Sequence, residues 1–283
     1  MPHSDPKTLV TTDWLAQHLK NPDLRVIDAS WYMPADKRDA QAEYAAGHIP
    51  GARFVDIDDL SDLRSDLPHM APPVEKFMSR MRALGIGDGH QVVIYDGAGL
   101  FSAARMWWMF KLFGQNNVAV LDGGLPKWLD EERPITTEPP VIKDRHMVPE
   151  FQPDLVRDVT QVARASKLGD YTIVDARAGA RFRGDVPEPR AGLRSGHIPN
   201  ARNVPYTNLL TAEGTLRPVT ELRGIFERAG VDLSKPVITS CGSGVTAAIL
   251  SLALERIGAQ HSLYDGSWAE WGMYGDLKVA IGD

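Results

Sequence analysis

Short apolar runs alternate with longer amphipathic ones along the whole chain. In the first half this pattern predicts a helix near Thr12–Leu19, a strand at Arg25–Asp28, a strand at Arg53–Val55 and a helix at Val74–Leu84. A strand at Val92–Tyr95, a helix at Ser102–Phe113 and a strand at Val118–Leu121 follow. The strands are short with few polar positions, the pattern of a parallel sheet covered by helices on both faces. The second half repeats the order, with strands at Tyr171–Asp175, Ala201–Val204, Val237–Ser240 and Ser262–Tyr264. Its last long helix runs from Val245 to Arg256 and is stopped by Gly258. Between Glu131 and Pro153, the prolines at 134, 139, 140, 149 and 153 exclude a regular element. The expected fold class is α/β: two tandem domains, 1–131 and 154–283, each a short parallel sheet flanked by helices. A Pro-rich linker, 132–153, runs across both.

The halves also repeat in sequence. Val26-Ile27-Asp28-Ala29 returns as Ile173-Val174-Asp175-Ala176, and Gly47-His48-Ile49-Pro50 as Gly196-His197-Ile198-Pro199. Asp122-Gly123-Gly124 returns as Asp265-Gly266-Ser267. The three motifs keep their order at offsets of 147, 149 and 143 residues, so the chain holds two copies of one domain.

Bulk properties narrow the function classes. A chain of 283 residues, 43% apolar and 24% charged, suits two soluble globular domains of about 140 residues. A net charge of −6 provides no overall attraction to nucleic acid or to an anionic membrane. The single cysteine, Cys241, rules out an intramolecular disulfide and a multi-cysteine zinc site, and fits a reducing compartment. The first residues hold no apolar core of a signal peptide, and the apolar run Ala103–Phe113 is broken by Arg105 and Lys111. The protein is expected to be cytoplasmic, with neither nucleic acid nor membrane as partner.

Chemistry concentrates at Val237–Ala247, where Cys241 stands between a strand and a helix. Gly242 and Gly244 free the loop backbone, whose N–H groups, with the helix N-terminus behind them, can stabilise an anion on sulfur. A buried, inert cysteine is the bland alternative. The equivalent position in the first copy is Asp96, so only the second copy carries a nucleophile. Thioester formation, phosphate transfer and sulfur transfer are all open to such a thiolate. Phosphate transfer ordinarily needs an arginine six residues beyond the cysteine, where this chain has Ala247, and no cation stands in the loop. His48 and His197 occur in both copies and read as structural. The eight histidines include no i, i+4 pair, so no metal is expected. Two unrepeated stretches remain. Arg181 to Arg190 is a cation-rich, loop-like segment, read either as a solvated loop or as a clamp for a carboxylate. His69, in Pro68-His69-Met70 beyond Val55-Asp56-Ile57-Asp58, reads on its own as an exposed loop histidine. A non-enzymatic tandem binding module, with Cys241 unreactive, is the competing class.

Taken together, these residues resemble the two-domain rhodanese-type sulfurtransferases, and within them the branch that uses 3-mercaptopyruvate. The resemblance covers nearly the whole chain. It includes Asp28-Ala29-Ser30-Trp31-Tyr32, both Gly-His-Ile-Pro motifs, Arg105-Met106-Trp107-Trp108-Met109-Phe110, Asp122-Gly123-Gly124, Tyr264-Asp265-Gly266-Ser267-Trp268 and the loop Cys241-Gly242-Ser243-Gly244-Val245-Thr246. It implies two rhodanese-like domains and a Cys241 persulfide as sulfur carrier, with Gly242, Gly244, Val245 and Thr246 around the substrate and no cofactor. Thiosulfate-using relatives typically have Arg and Lys where this chain has Gly242 and Ser243. A dianion gains from cations beside the sulfur, whereas mercaptopyruvate carries its charge on a remote carboxylate, which the resemblance assigns to Arg181 and Arg190. It also implies a proton relay of Ser243, His69 and Asp58, and a thiol, thioredoxin or cyanide as acceptor. Thiosulfate:cyanide sulfur transfer on the same fold is the alternative.

Overall fold

The computed structural model describes residues 4–283. Two compact units form. One gathers residues through Leu63, Ala71–Gln152 and Thr211–Leu216; the other gathers Arg64–Met70, Pro153–Leu210 and Arg217–Asp283. Each unit thus borrows a short segment from the other half of the sequence.

In the first unit the order is β1 (Leu9–Val10), α1 (Thr12–His18), β2 (Leu24–Asp28), α2 (Ala40–Ala46), β3 (Ala52–Phe54), α3 (Ile57–Leu60) and α4 (Val74–Ala83). Then come β4 (Gln91–Tyr95), α5 (Ala103–Leu112), β5 (Val118–Leu121) and α6 (Gly124–Asp130). All strand pairs are parallel, in the order β1-β5-β4-β2-β3. Its core joins Val10, Leu15, Val26, Val93, Tyr95, Leu121 and Trp128. The borrowed segment is tied in where the Leu216 N–H donates to Asp122 Oδ1 at 2.8 Å.

The second unit contains β6 (Val156–Arg157), α7 (Val159–Leu168), β7 (Thr172–Asp175), α8 (Gly179–Arg183), β8 (Arg202–Asn203) and α9 (Val219–Arg228). It ends with β9 (Val237–Ser240), α10 (Ala247–Arg256), β10 (His261–Tyr264) and α11 (Ser267–Trp271). Its parallel sheet runs β6-β10-β9-β7-β8, the first sheet's order element for element. The core here is Val162, Ile173, Phe182, Ile198, Ile238, Tyr264, Trp268 and Trp271.

Local chemistry explains the element ends. Thr11 caps α1 through its side chain, and Asp158 with Gln161 forms a reciprocal capping box on α7. Helix α10 is buried at every position from Ala247 to Leu254, so its apolar residues cover the whole circumference rather than one stripe. That burial is what fixes the helix that follows the cysteine loop.

Four elements differ from the sequence expectation. The edge strands β1 and β6 are two residues each, too short to show alternation. Arg181 lies on the short helix α8, which ends at Gly184 with φ 81°, and not in a loop. Helix α10 begins at Ala247, leaving Val245 and Thr246 in the turn before it.

Candidate active site

Strand β9 is buried along its length and delivers Cys241 to the C-terminal end of the sheet, where ligands of parallel sheets bind. Cys241 is 2% exposed. The loop beyond it is anchored from behind by α11. The Cys241 carbonyl accepts from Trp268 N–H and the Gly242 carbonyl from Ala269 N–H, each at 2.9 Å. The Cys241 N–H donates to Ser267 Oγ at 3.2 Å, and that hydroxyl donates to the Tyr264 carbonyl at 2.8 Å. Gly244 turns the loop with φ +80°, a left-handed conformation that a β-carbon would strain.

The first unit holds the same loop with an anion built in. Asp96 is fully buried, and its carboxylate accepts from the N–H groups of Ala98, Phe101 and Ala103 at 2.7–2.9 Å. Behind it, the Asp96 carbonyl accepts from Leu125 N–H at 2.9 Å, matching the Cys241–Trp268 bond. The repeat therefore places a carboxylate ringed by N–H groups in the first copy where the second copy has Cys241. Only in the second copy does a nucleophile replace the carboxylate.

Ser267 departs from that symmetry. It stands where the first copy has Gly124, and the two share the left-handed backbone, with φ 50° for Ser267 and 55° for Gly124. A non-glycine residue there costs roughly 1–3 kcal/mol, and the hydroxyl's two bonds, to the Cys241 N–H and to the Tyr264 carbonyl, offset it. The Gly124-to-Ser267 exchange within an otherwise repeated motif was the signal in the sequence.

Two guanidinium groups face the loop. A β-carbon on Gly242 would lie 3.2 Å from Arg181 Nη2 and 3.8 Å from Arg190 Nη1, so a side chain at 242 would crowd both. Arg190 Nη2 donates to Ser243 Oγ at 3.5 Å. Arg181 is committed to Glu188: Nε reaches Oε1 at 3.2 Å and Nη2 reaches Oε2 at 2.5 Å. Glu188 Oε1 also takes Arg177 Nη1 at 2.8 Å, and Arg177 Nη2 pairs with Asp175 at 2.7 Å. Burial works against the Arg177 charge, yet Asp175 and Glu188 together hold its pKa above the ordinary arginine value. The guanidinium also lies 4.3 Å from the centre of the Trp268 ring. Sequence reading missed Glu188 and Arg177. The visible hint was an acid held between Pro187 and Pro189 in a run that carries three arginines.

His69 is not an exposed loop residue. It is 7% exposed, adopts φ 60°, and its Nδ1 lies 2.9 Å from Ser243 Oγ. The structure thus brings Cys241, Gly242, Ser243, Arg181, Arg190 and His69 together in the second unit. Asp58 belongs to the first unit, on α3, where its Oδ2 accepts from Trp31 Nε1 at 2.8 Å. The two repeated histidines serve the scaffold. His48 Nδ1 lies 2.9 Å from the Tyr44 carbonyl and His197 Nδ1 lies 2.8 Å from that of Phe182, each ring stacked on the same aromatic residue. Among the described residues, no three His, Cys, Asp or Glu side chains gather to hold a metal, and no helix is long and apolar enough to cross a membrane.

The rhodanese-like domain family matches residues 11–131 and 158–274. A 3-mercaptopyruvate sulfurtransferase of Escherichia coli is 45% identical over 272 residues, covering 95% of this chain and 96% of the relative. A mitochondrial thiosulfate/3-mercaptopyruvate sulfurtransferase of Arabidopsis thaliana is 42% identical over 298 residues, covering 98% and 79%. The crystal structure of SseA from Escherichia coli, described as having the rhodanese fold of 3-mercaptopyruvate sulfotransferases, superposes with a TM-score of 0.85 at 44% identity, covering 93% of this chain and 99% of that one. The chain belongs to the rhodanese-like family, with one family domain in each half.

Proposed function

We propose that this protein moves the sulfur of 3-mercaptopyruvate through a persulfide on Cys241 to a thiol or cyanide acceptor, releasing pyruvate. The observation that carries the reading is the placement of charge. The cysteine loop holds no cation of its own, while the guanidinium groups of Arg181 and Arg190 stand beside Gly242. A donor whose carboxylate is remote from its sulfur suits that spacing.

In the first step the Cys241 thiolate attacks the donor sulfur. The carbon–sulfur bond breaks, its electron pair passes to carbon, and the proton of the donor thiol ends on that carbon to complete pyruvate. Arg190 and the unpaired edge of Arg181 hold the carboxylate and keto oxygen, which pulls charge toward the enolate oxygen as the bond breaks. The Ser243–His69 pair, 2.9 Å apart, accepts and returns the proton, with Asp58 as the further member of the relay. The outer sulfur of the persulfide rests in the cradle whose twin holds the Asp96 carboxylate. In the second step an acceptor thiol, that of thioredoxin included, attacks that sulfur, becomes a persulfide and returns Cys241 as thiolate; cyanide leaves as thiocyanate. Domain 154–283 carries the chemistry, and domain 1–131 is the copy without a nucleophile. A lone cysteine that must stay reduced suits the cytoplasm.

The test is pyruvate release from 3-mercaptopyruvate beside thiocyanate formation from thiosulfate and cyanide, each with a Cys241→Ser control. Preference for mercaptopyruvate, lost in Cys241→Ser, is expected. Preference for thiosulfate would overturn the charge argument, and inactivity with both donors would overturn sulfur transfer.

A further inference from the structure

The side chains around Gly242 and Ser243 form a chain of ion pairs that ends in one unmatched charge. Asp175 pairs with Arg177, and Glu188 bridges Arg177 and Arg181. The side chains of Arg177 and Glu188 are 1% and 2% exposed, so solvent screens their pairing little. Two carboxylates and two guanidinium groups cancel. Arg190 has no carboxylate partner among the described residues, and its contact is with the Ser243 hydroxyl. With histidine and the Cys241 thiol counted neutral, the group as a whole carries one net positive charge.

We propose that Glu188 is a specificity-determining residue: by neutralising Arg181 it leaves the sulfur site with a single net positive charge, matched to a monoanionic donor and mismatched to a dianionic one. The proposal rests on the reading of Arg181 and Arg190 as the anion clamp given above. Without Glu188 the same two arginines would present two charges, which would suit a dianion such as thiosulfate without any cation in the cysteine loop. Glu188 also sets direction. With Nε and one Nη2 hydrogen of Arg181 on the carboxylate, the second Nη2 hydrogen, on the atom nearest Gly242, and the Nη1 hydrogens are left for a ligand. Glu188 is therefore a positioning residue as well, acting on substrate through Arg181.

Charge and position separate in two variants. Glu188→Gln keeps the shape and removes the charge. The kcat/KM ratio of thiosulfate over mercaptopyruvate should rise about tenfold, as expected for one unit charge acting across about 8 Å on the extra charge of the dianion. Glu188→Asp keeps the charge and shifts Arg181, so kcat/KM should fall with both donors while their ratio stays within about twofold. A Glu188→Gln enzyme that loses activity equally with both donors would overturn the proposal, because a merely structural role moves both alike. Should Glu188→Gln fail to fold, calorimetric binding of oxalate and pyruvate to the unmodified protein decides. One net charge predicts that the dianion binds less than about tenfold more tightly than the monoanion, and a larger preference overturns it. That binding test needs no turnover. Inactivity of the unmodified enzyme with both donors would therefore sink the sulfur-transfer reading separately from the charge match.

Discussion

Replacing Ser267 with alanine removes a hydroxyl that is bonded on both sides. The buried Cys241 N–H loses its acceptor at 3.2 Å and the Tyr264 carbonyl loses a donor at 2.8 Å. Leaving a buried N–H unsatisfied costs about 1–3 kcal/mol, and the lost bond to the carbonyl adds about 1 kcal/mol. Alanine keeps a β-carbon at φ 50°, so the backbone strain remains. The expected loss is about 2–3 kcal/mol. Ser267→Gly loses the same two bonds but relieves the strain, as Gly124 does at φ 55°. Relief of roughly 1–2 kcal/mol is partly cancelled by the greater freedom of glycine in the unfolded chain, so the glycine variant should be the more stable by about 0.5–1 kcal/mol. Urea unfolding of the three proteins, fitted with a common m-value, measures both differences. An alanine variant as stable as the parent, or more stable than the glycine variant, would refute the account of Ser267 as a strained residue held by its hydroxyl.

Three further outcomes follow from the same geometry. Arg190→Ala should raise KM for mercaptopyruvate about 10- to 100-fold with a smaller change in kcat, since a charge-assisted hydrogen bond contributes about 1.5–3 kcal/mol; steady-state kinetics with pyruvate detection checks it. Leu250, fully buried on α10, should cost about 2–5 kcal/mol on truncation to alanine, read by chemical denaturation. His197 is held below its ordinary pKa of 6.5, first by burial, so the unfolded chain binds its proton more readily than the folded one. Its contribution is therefore fully present above pH 6.5 and is lost as the pH falls from there through the folded value. The stability difference between the parent and His197→Gln should shrink as pH falls through that window in a series of urea titrations.

Much of this molecule was readable from residues alone, for reasons that separate by length scale. Val92–Tyr95 is a continuous apolar run and Val237–Ser240 opens on one, and the internal repeat supported both halves. The position of Cys241 followed from the strand, the glycines and the helix, all local features. The surroundings of the cysteine did not, because they are assembled from distant parts of the chain. His69 reaches Ser243 across 174 residues, and nothing near Pro68-His69-Met70 shows that the ring is buried. Glu188 drew no reading of its own, because it bridges Arg177 and Arg181, 11 and 7 residues away, only once the chain has folded. The exchange of Arg64–Met70 and Thr211–Leu216 between the units is likewise invisible to periodicity, since neither segment carries a long helix or strand.

The two cysteine-type loops can be read as one device with different occupants. In the first copy three N–H groups converge on the Asp96 carboxylate, so the cradle is permanently filled by an anion that cannot leave. Such a carboxylate satisfies buried donors that would otherwise cost about 1–3 kcal/mol each. Deleting it by Asp96→Ala should therefore destabilise the first unit far more than Cys241→Ser destabilises the second. In the mechanism proposed above, the loop of the second copy serves a thiolate and then a persulfide, whose charge moves outward by one sulfur. A fixed carboxylate is then excluded, and the back of the loop, held in both copies by an N–H on the carbonyl of Asp96 or Cys241, gains in the second copy the Ser267 Oγ that accepts the Cys241 N–H. The strain at Ser267 follows from holding the loop from behind, while the left-handed glycine is common to both copies, at Gly99 and Gly244. That requirement, more than the presence of a thiol, is what separates the transferring copy from its twin.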